Sequence, residues 1–233
     1  MSDPLQGFDW ASVHDPCSFS ESDWLAAADP APMLAFLRGK ASDRKVRLFG
    51  CAACRLIWSL FPDPANRALV AAVEDHPDGK FQDPDIDAAI VTSGGWESGA
   101  SDRDKAEHGD AYLAVKYLGR TFYKFTPLEC IDEVVSYASA ADPRPITTSR
   151  MVAALRDIFN PFCPVALAAS WLTPHVTALA ATIYDERAFD RMPILADALE
   201  EAGCDSGELL NHCRGPSGHM RGCWVVDLLT GRG

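Results

Sequence analysis

The sequence predicts a mostly α protein, an irregular multi-helix globular fold of roughly nine to eleven helices joined by short loops. Three observations predict it. Apolar residues recur at steps of three and four along most of the chain, the repeat that one helix face requires. Six of the 16 prolines follow Asp (Pro4, Pro16, Pro30, Pro64, Pro84 and Pro143), and Pro127 and Pro174 follow Thr. In that pairing Asp or Thr can accept a hydrogen bond from the open first turn, and proline fills a position whose N–H the turn does not use. Finally, no convincing alternation of period two occurs outside the ambiguous end, 224–229. There is no fixed-period repeat, so a regular solenoid is not supported.

The elements follow in order. Residues 20–28 carry Trp24 and Leu25 after a Ser/Asp-rich start, and 30–38 carry Met33, Leu34 and Leu37 before Gly39. A long helix is expected over 43–61, closed by Pro62, then another over 64–75 with Leu69 and Val73 on one face. A short one is expected over 84–91. Residues 92–110 hold Gly94, Gly95, Gly99 and Gly109 among many charges and read as a loop. Val115, Leu118, Phe122 and Phe125 then share a face, as do Leu128, Ile131, Val135 and Ala138 after the capping box Thr126-Pro127-Leu128-Glu129. Met151, Leu155 and Ile158 form the next face, and Asn160–Pro164 breaks the pattern. Thr173-Pro174 opens a helix bearing Val176, Leu179 and Ile183; Leu195, Ala198, Leu199 and Ala202 follow, and a short helix over 206–213. The 233 residues suit one large domain or two small ones. The loop 92–110 is the expected division between an N-terminal half, 1–91, and a C-terminal half, 111–233.

With 48% hydrophobic residues, the chain can bury a core. Its 21 basic against 33 acidic residues leave a net charge of −12, which repels phosphate backbones and argues against nucleic-acid binding and anionic membranes. No run approaches the roughly 18 apolar residues of a spanning helix. The start, Met1-Ser2-Asp3-Pro4, shows no basic region before an apolar run, so the eight cysteines read as reduced thiols of a cytoplasmic protein.

Two blocks carry a family resemblance. Residues 29–55, DPAPMLAFLRGKASDRKVRLFGCAACR, and 184–231, YDERAFDRMPILADALEEAGCDSGELLNHCRGPSGHMRGCWVVDLLTG, resemble the two ends of a family of uncharacterised, often multidomain bacterial proteins. The resemblance implies a shared fold and carries no activity, substrate or catalytic residue.

On a helix over 43–61, Val46, Phe49, Ala53, Leu56 and Leu60 form one stripe, and Arg47, Cys51, Cys54 and Trp58 form another nearly opposite. The expectation is a central helix buried on both sides. The alternatives are a metal or redox role for Cys51 and Cys54, or a protein-partner face on Arg47 and Trp58. The segment 38–55 is locally basic (Arg38, Lys40, Arg44, Lys45, Arg47 and Arg55 against Asp43), and its charges are expected to pair with carboxylates of other helices.

Near the C-terminus, Cys204, His212, Cys213, His219 and Cys223 lie within 20 residues. Thiolate and imidazole are the usual zinc ligands, although the spacing Cys213-x5-His219-x3-Cys223 matches no standard finger. Cys51 and Cys54 could complete a closed site. The intervening loop also carries Arg214, His219 and Arg221 among glycines, which would suit a phosphate or carboxylate. The unremarkable alternative is that these thiols are core residues and the histidines ordinary polar ones. Asp83–Asp87 lacks the glycine and glutamate of a calcium loop, and no P-loop, dinucleotide fingerprint or HExxH occurs. Three functions therefore stand in order: a non-enzymatic helical module that binds a protein partner and needs no cofactor; a zinc-binding protein, structural or hydrolytic; and a small-anion binder using the Arg214–Arg221 loop.

Overall fold

A computed structural model describes residues 19–61, 63–79, 84–123, 127–162, 165–215 and 218–232. It is 74% helical, with twelve α-helices and no strand among the described residues. They are α1 (Glu21–Ala26), α2 (Pro30–Leu37), α3 (Asp43–Leu56), α4 (Pro64–Asp75), α5 (Pro84–Gly99), α6 (Asp102–Arg120), α7 (Pro127–Ala141), α8 (Pro145–Ile158), α9 (Pro174–Glu186), α10 (Met192–Glu201), α11 (Gly207–Arg214) and α12 (Trp224–Thr230). The mostly α class holds, with one helix more than the expected range, because the ambiguous end at 224–229 is helical.

The proline pairs act as expected at three starts: Asp29, Asp63 and Thr173 accept from the amides of Ala31, Ala65 and Val176. At Asp142-Pro143 the helix begins later, at Pro145. There the Asp142 carboxylate takes hydrogen bonds from Arg144 and Thr147 instead of capping. Pro4, Pro16, Cys17, Pro62, Asp83, Phe125, Thr126, Cys163 and Pro164, on which expectations rest, lie outside the described residues.

Two expectations are corrected. The long helix ends at Leu56 rather than 61, and Trp58–Leu60 form a separate 3-10 turn. Residues 92–110 are not a loop: α5 runs to Gly99, and α6 starts at Asp102 behind a reciprocal Ser101–Asp104 capping box. A glycine inside a helix costs about 1 kcal/mol relative to alanine. Tertiary contact offsets that cost here, since α5 buries Ile86 and Ser93 and packs on α4 and α6.

The apolar side chains gather into two clusters. The first spans Trp24 to Phe159, from α1 to α8; the second spans Trp171 to Leu229, around α9 to α12. Along the chain, the first cluster ends at Phe159 and the second begins at Trp171. Helix α3 is the axis of the first cluster and packs on α4, α6, α7 and α8. Its ten residues Arg44, Val46–Cys54 are all buried, so both sequence stripes face core. At Gly50 the neighbours close in: a Cβ there would collide with Ile131 Cδ1 and lie 2.8 Å from Leu118 Cδ1.

A polar seam joins the clusters. Arg44 donates to Asp227 at 2.6 and 3.2 Å, to the Tyr184 hydroxyl at 2.9 Å and to the Arg232 carbonyl at 2.9 Å. Lys45 donates to the Ile158 carbonyl at 2.8 Å. Gly222, at φ +93°, lets the chain approach Leu48 and Ile158 closely. The C-terminal segment thus docks on the Arg44–Leu48 side of α3, not on the Arg47–Cys51–Cys54–Trp58 stripe, which α4 and α6 already cover in part. No helix among the described residues is long and apolar enough to cross a membrane.

Candidate metal centre

Helix α8 ends in Arg156-Asp157-Ile158. A carboxylate in a last helical turn opposes the negative end of the helix dipole, so Asp157 needs a positive or donating partner. The loop 218–223 supplies it. The Met220 amide donates to Asp157 Oδ2 at 3.0 Å, and the Cys223 amide closes a turn onto the Met220 carbonyl at 2.9 Å. Arg221 fixes the loop from outside by hydrogen bonds to the Glu74 carbonyl and the Asp75 carboxylate at 3.2 and 2.5 Å. His219 and Cys223 are thereby turned inward. His212 arrives from the last turn of α11.

Four heteroatoms converge. His219 Nδ1 lies 2.5 Å from Asp157 Oδ1, and His212 Nε2 lies 3.2 Å from the same oxygen. His212 Nε2 is also 3.2 Å from Cys223 Sγ, which is 3.9 Å from His219 Nδ1. All four atoms lie within 4.8 Å of one another. The tetrahedron around a zinc ion, with bonds near 2.0–2.3 Å, has edges of about 3.3–3.7 Å. The side chains are largely enclosed: those of Asp157 and His219 are 1% and 4% exposed, Cys223 is fully buried, and the His212 side chain, at 14%, is the most exposed of the four.

The electrostatics suit a cation. Burial pushes the Asp157 carboxyl up, but hydrogen bonds and attraction from His212 and His219 outweigh it and hold it below the ordinary carboxylate range. Burial, with the Asp157 charge added, pushes the Cys223 thiol far up. A bound cation reverses that effect and makes the thiolate a ligand. A Cys-His-Asp nucleophile is excluded by geometry. A triad relays through opposite nitrogens of the imidazole. Here the thiol and the carboxylate share one nitrogen, Nε2 of His212.

Of the residues singled out from sequence, His212, His219 and Cys223 come together, and Asp157, which no motif flagged, completes the set. Cys204 and Cys213 lie in the second apolar cluster, as Cys223 does, but neither belongs to the convergent set. Cys51 and Cys54 lie in the first, with Cys51 Sγ donating to the Val70 carbonyl at 3.7 Å, and neither joins the centre. The anion set is dispersed. Arg214 binds Asp197 and Glu200, Arg221 binds Asp75, and His219 faces Asp157, so each is already paired with a carboxylate.

Arg47 is buried and donates to the carbonyls of Pro77, Gly79 and Thr121 at 2.9, 3.2 and 3.1 Å, with Phe122 beneath its guanidinium. Trp58 is half-buried between Arg55 and Arg67 and meets Phe61 edge-on. These two residues serve the chain's own packing. Of the basic run, Arg38, Arg44, Lys45 and Arg55 meet Asp132, Asp227, Asp227 and Glu74, while Lys40 sits over the Phe36 ring. Cys51, Cys54, Cys130, Cys204, Cys213 and Cys223 are all free and buried. Comparison with protein-family models, with curated proteins and with solved structures gives no match.

Proposed function

We propose that this protein is a helical zinc-binding protein whose Asp157–His212–His219–Cys223 centre is structural. The observation that carries the reading is the convergence of four ligand atoms of the right chemistry in a closed, buried space. One thiolate, two imidazoles and one carboxylate suit Zn²⁺. Ca²⁺ and Mg²⁺ take oxygen ligands. A site filled by four protein ligands leaves no open position for substrate, which favours a structural over a hydrolytic role. Its location supports the same reading. Asp157 comes from the first apolar cluster, and the other three ligands come from the chain around the second, so an ion there ties α8 to α11 and α12. The free, buried thiols support a reducing, cytoplasmic setting.

Metal analysis of untagged protein tests the proposal. One zinc per chain is expected, falling to none in Asp157→Asn and Cys223→Ser and staying at one in Cys51→Ser and Cys54→Ser. The cobalt-loaded protein should show a thiolate-to-metal charge-transfer band. A folded wild-type chain that takes up no zinc when given it would overturn the reading.

A further inference from the structure

Trp224 immediately follows the ligand Cys223 and opens α12. Its Nε1–H donates to Nδ1 of His212 at 3.0 Å, with the ring centroids 4.9 Å apart. The indole N–H is a donor only. His212 Nδ1 therefore accepts, and a neutral His212 carries its proton on Nε2, aimed at Asp157 and Cys223. That is the arrangement of a metal-free hydrogen-bonded cluster. A neutral imidazole that ligates through Nε2 carries its proton on Nδ1, where metal sites commonly place a carboxylate or carbonyl acceptor. Here the position is held by a donor. With zinc bound through Nε2, two N–H groups would face each other at the distance now occupied by a hydrogen bond.

We infer that Trp224 sets the metal affinity of the centre by holding His212 in its non-ligating tautomer. The inference rests on the zinc reading above. Loading moves the His212 proton from Nε2 to Nδ1 and breaks the Trp224 hydrogen bond. The indole then turns toward the surface cleft that it lines together with Glu21, Trp24, Phe162, Glu208 and His212. Trp224 is thus a positioning residue, acting on the ion only through His212. His212 has the most exposed side chain of the four.

Nitrogen NMR on the full-length wild-type chain, before and after one equivalent of zinc, tests this. Without zinc, His212 should be protonated at Nε2 and the Trp224 indole N–H should resonate as hydrogen-bonded. With zinc, the proton should be on Nδ1 and the indole resonance should shift. Trp224→Phe should bind zinc about fivefold tighter in competition with a chromophoric chelator, the ratio that one net hydrogen bond of ordinary strength corresponds to. Zinc bound with the His212 tautomer and the indole resonance unchanged would overturn the inference and leave the metal centre standing. Equal or weaker binding by folded Trp224→Phe would do the same. No zinc binding by the wild type would remove both. Should Trp224→Phe fail to fold, the wild-type spectra alone decide the matter.

Discussion

Removing Arg44 should cost this protein about 3 kcal/mol, within the range of about 3–5 kcal/mol typical of breaking a buried ion pair by deleting one partner. Arg44 is 7% exposed and Asp227 1%. In Arg44→Met the Asp227 carboxylate would keep the Lys45 ammonium at 3.8 Å and the attraction of Arg232. It could also escape its charge by protonation. From an ordinary carboxyl value that costs about 1.4 kcal/mol per pH unit, or about 4 kcal/mol at pH 7. Burial already pushes Asp227 upward against the pull of Arg44, so the ceiling lies somewhat lower. Asp227→Leu should cost a similar amount, because Arg44 would lose its one buried carboxylate and retain the Tyr184 hydroxyl, the Arg232 carbonyl and the exposed Asp78 carboxylate at 3.4 Å. The double variant Arg44→Met/Asp227→Leu replaces two desolvated charges by apolar groups and should lose no more than about 2 kcal/mol. Urea titrations of all four proteins, followed by circular dichroism, measure the cycle. A single variant within about 1 kcal/mol of wild type, or a double variant at the sum of the singles, would refute the reasoning.

Further outcomes are expected. Gly222→Ala combines a positive φ with a Cβ 3.1 Å from Leu48 Cδ1; it should lose about 2 kcal/mol or more in thermal melts. Gly207→Ala, which meets nothing within 4 Å, should melt near wild type. The Asp157 carboxyl is held below its ordinary range in the folded state, so the stability it contributes is complete above about pH 4 and lost as pH falls through the folded value. Asp157→Asn should lack that part of the acid-unfolding limb in urea midpoints measured from pH 6 downward on zinc-free protein. Cys51, Cys54, Cys213 and Cys223 should resist iodoacetamide in the native state and react on unfolding, as peptide mass mapping would show; burial pushes Cys213 up to about 12 and raises the other three thiols too. Rapid native labelling of any of the four would contradict their placement in the cores.

The helices were legible where local chemistry and tertiary packing agree. Asp29-Pro30, Asp63-Pro64 and Thr173-Pro174 announce helix starts because a cap acts within three residues. The stretch 92–110 misled because its glycines argue against helix locally, while the packing of α5 on its chain neighbours α4 and α6 decides in favour. The Ser101–Asp104 box is a local start signal for α6 that the sequence reading did not take up. At the metal centre, the 12-residue stretch from His212 to Cys223 is local and could be noticed. Asp157 lies 55 residues before His212, and only the folded chain brings it in. The one hint it offers is a carboxylate at the unfavourable end of a helix. Arg214 and Arg221 looked available because sequence displays charges without their partners, and Asp75, Asp197 and Glu200 are supplied by other helices.

The separation between Arg44 and Asp227 has a consequence for the order of synthesis. The pair is 183 residues apart. A chain made from its N-terminus brings out α3 long before the carboxylate that neutralises it. Until then the guanidinium lacks its buried counter-charge and has only the exposed Asp78 carboxylate to pair with, which keeps it in water and holds open the flank of α3 that the C-terminal segment later covers. The residues of the first apolar cluster are all present by Phe159, but the cluster can seal that flank only after Asp227 has emerged. A product that stops short of α12 would therefore present a charged, unsealed face on α3. Complete and truncated chains would differ in surface chemistry as well as in length, which is a distinction that quality-control proteases and chaperones can read.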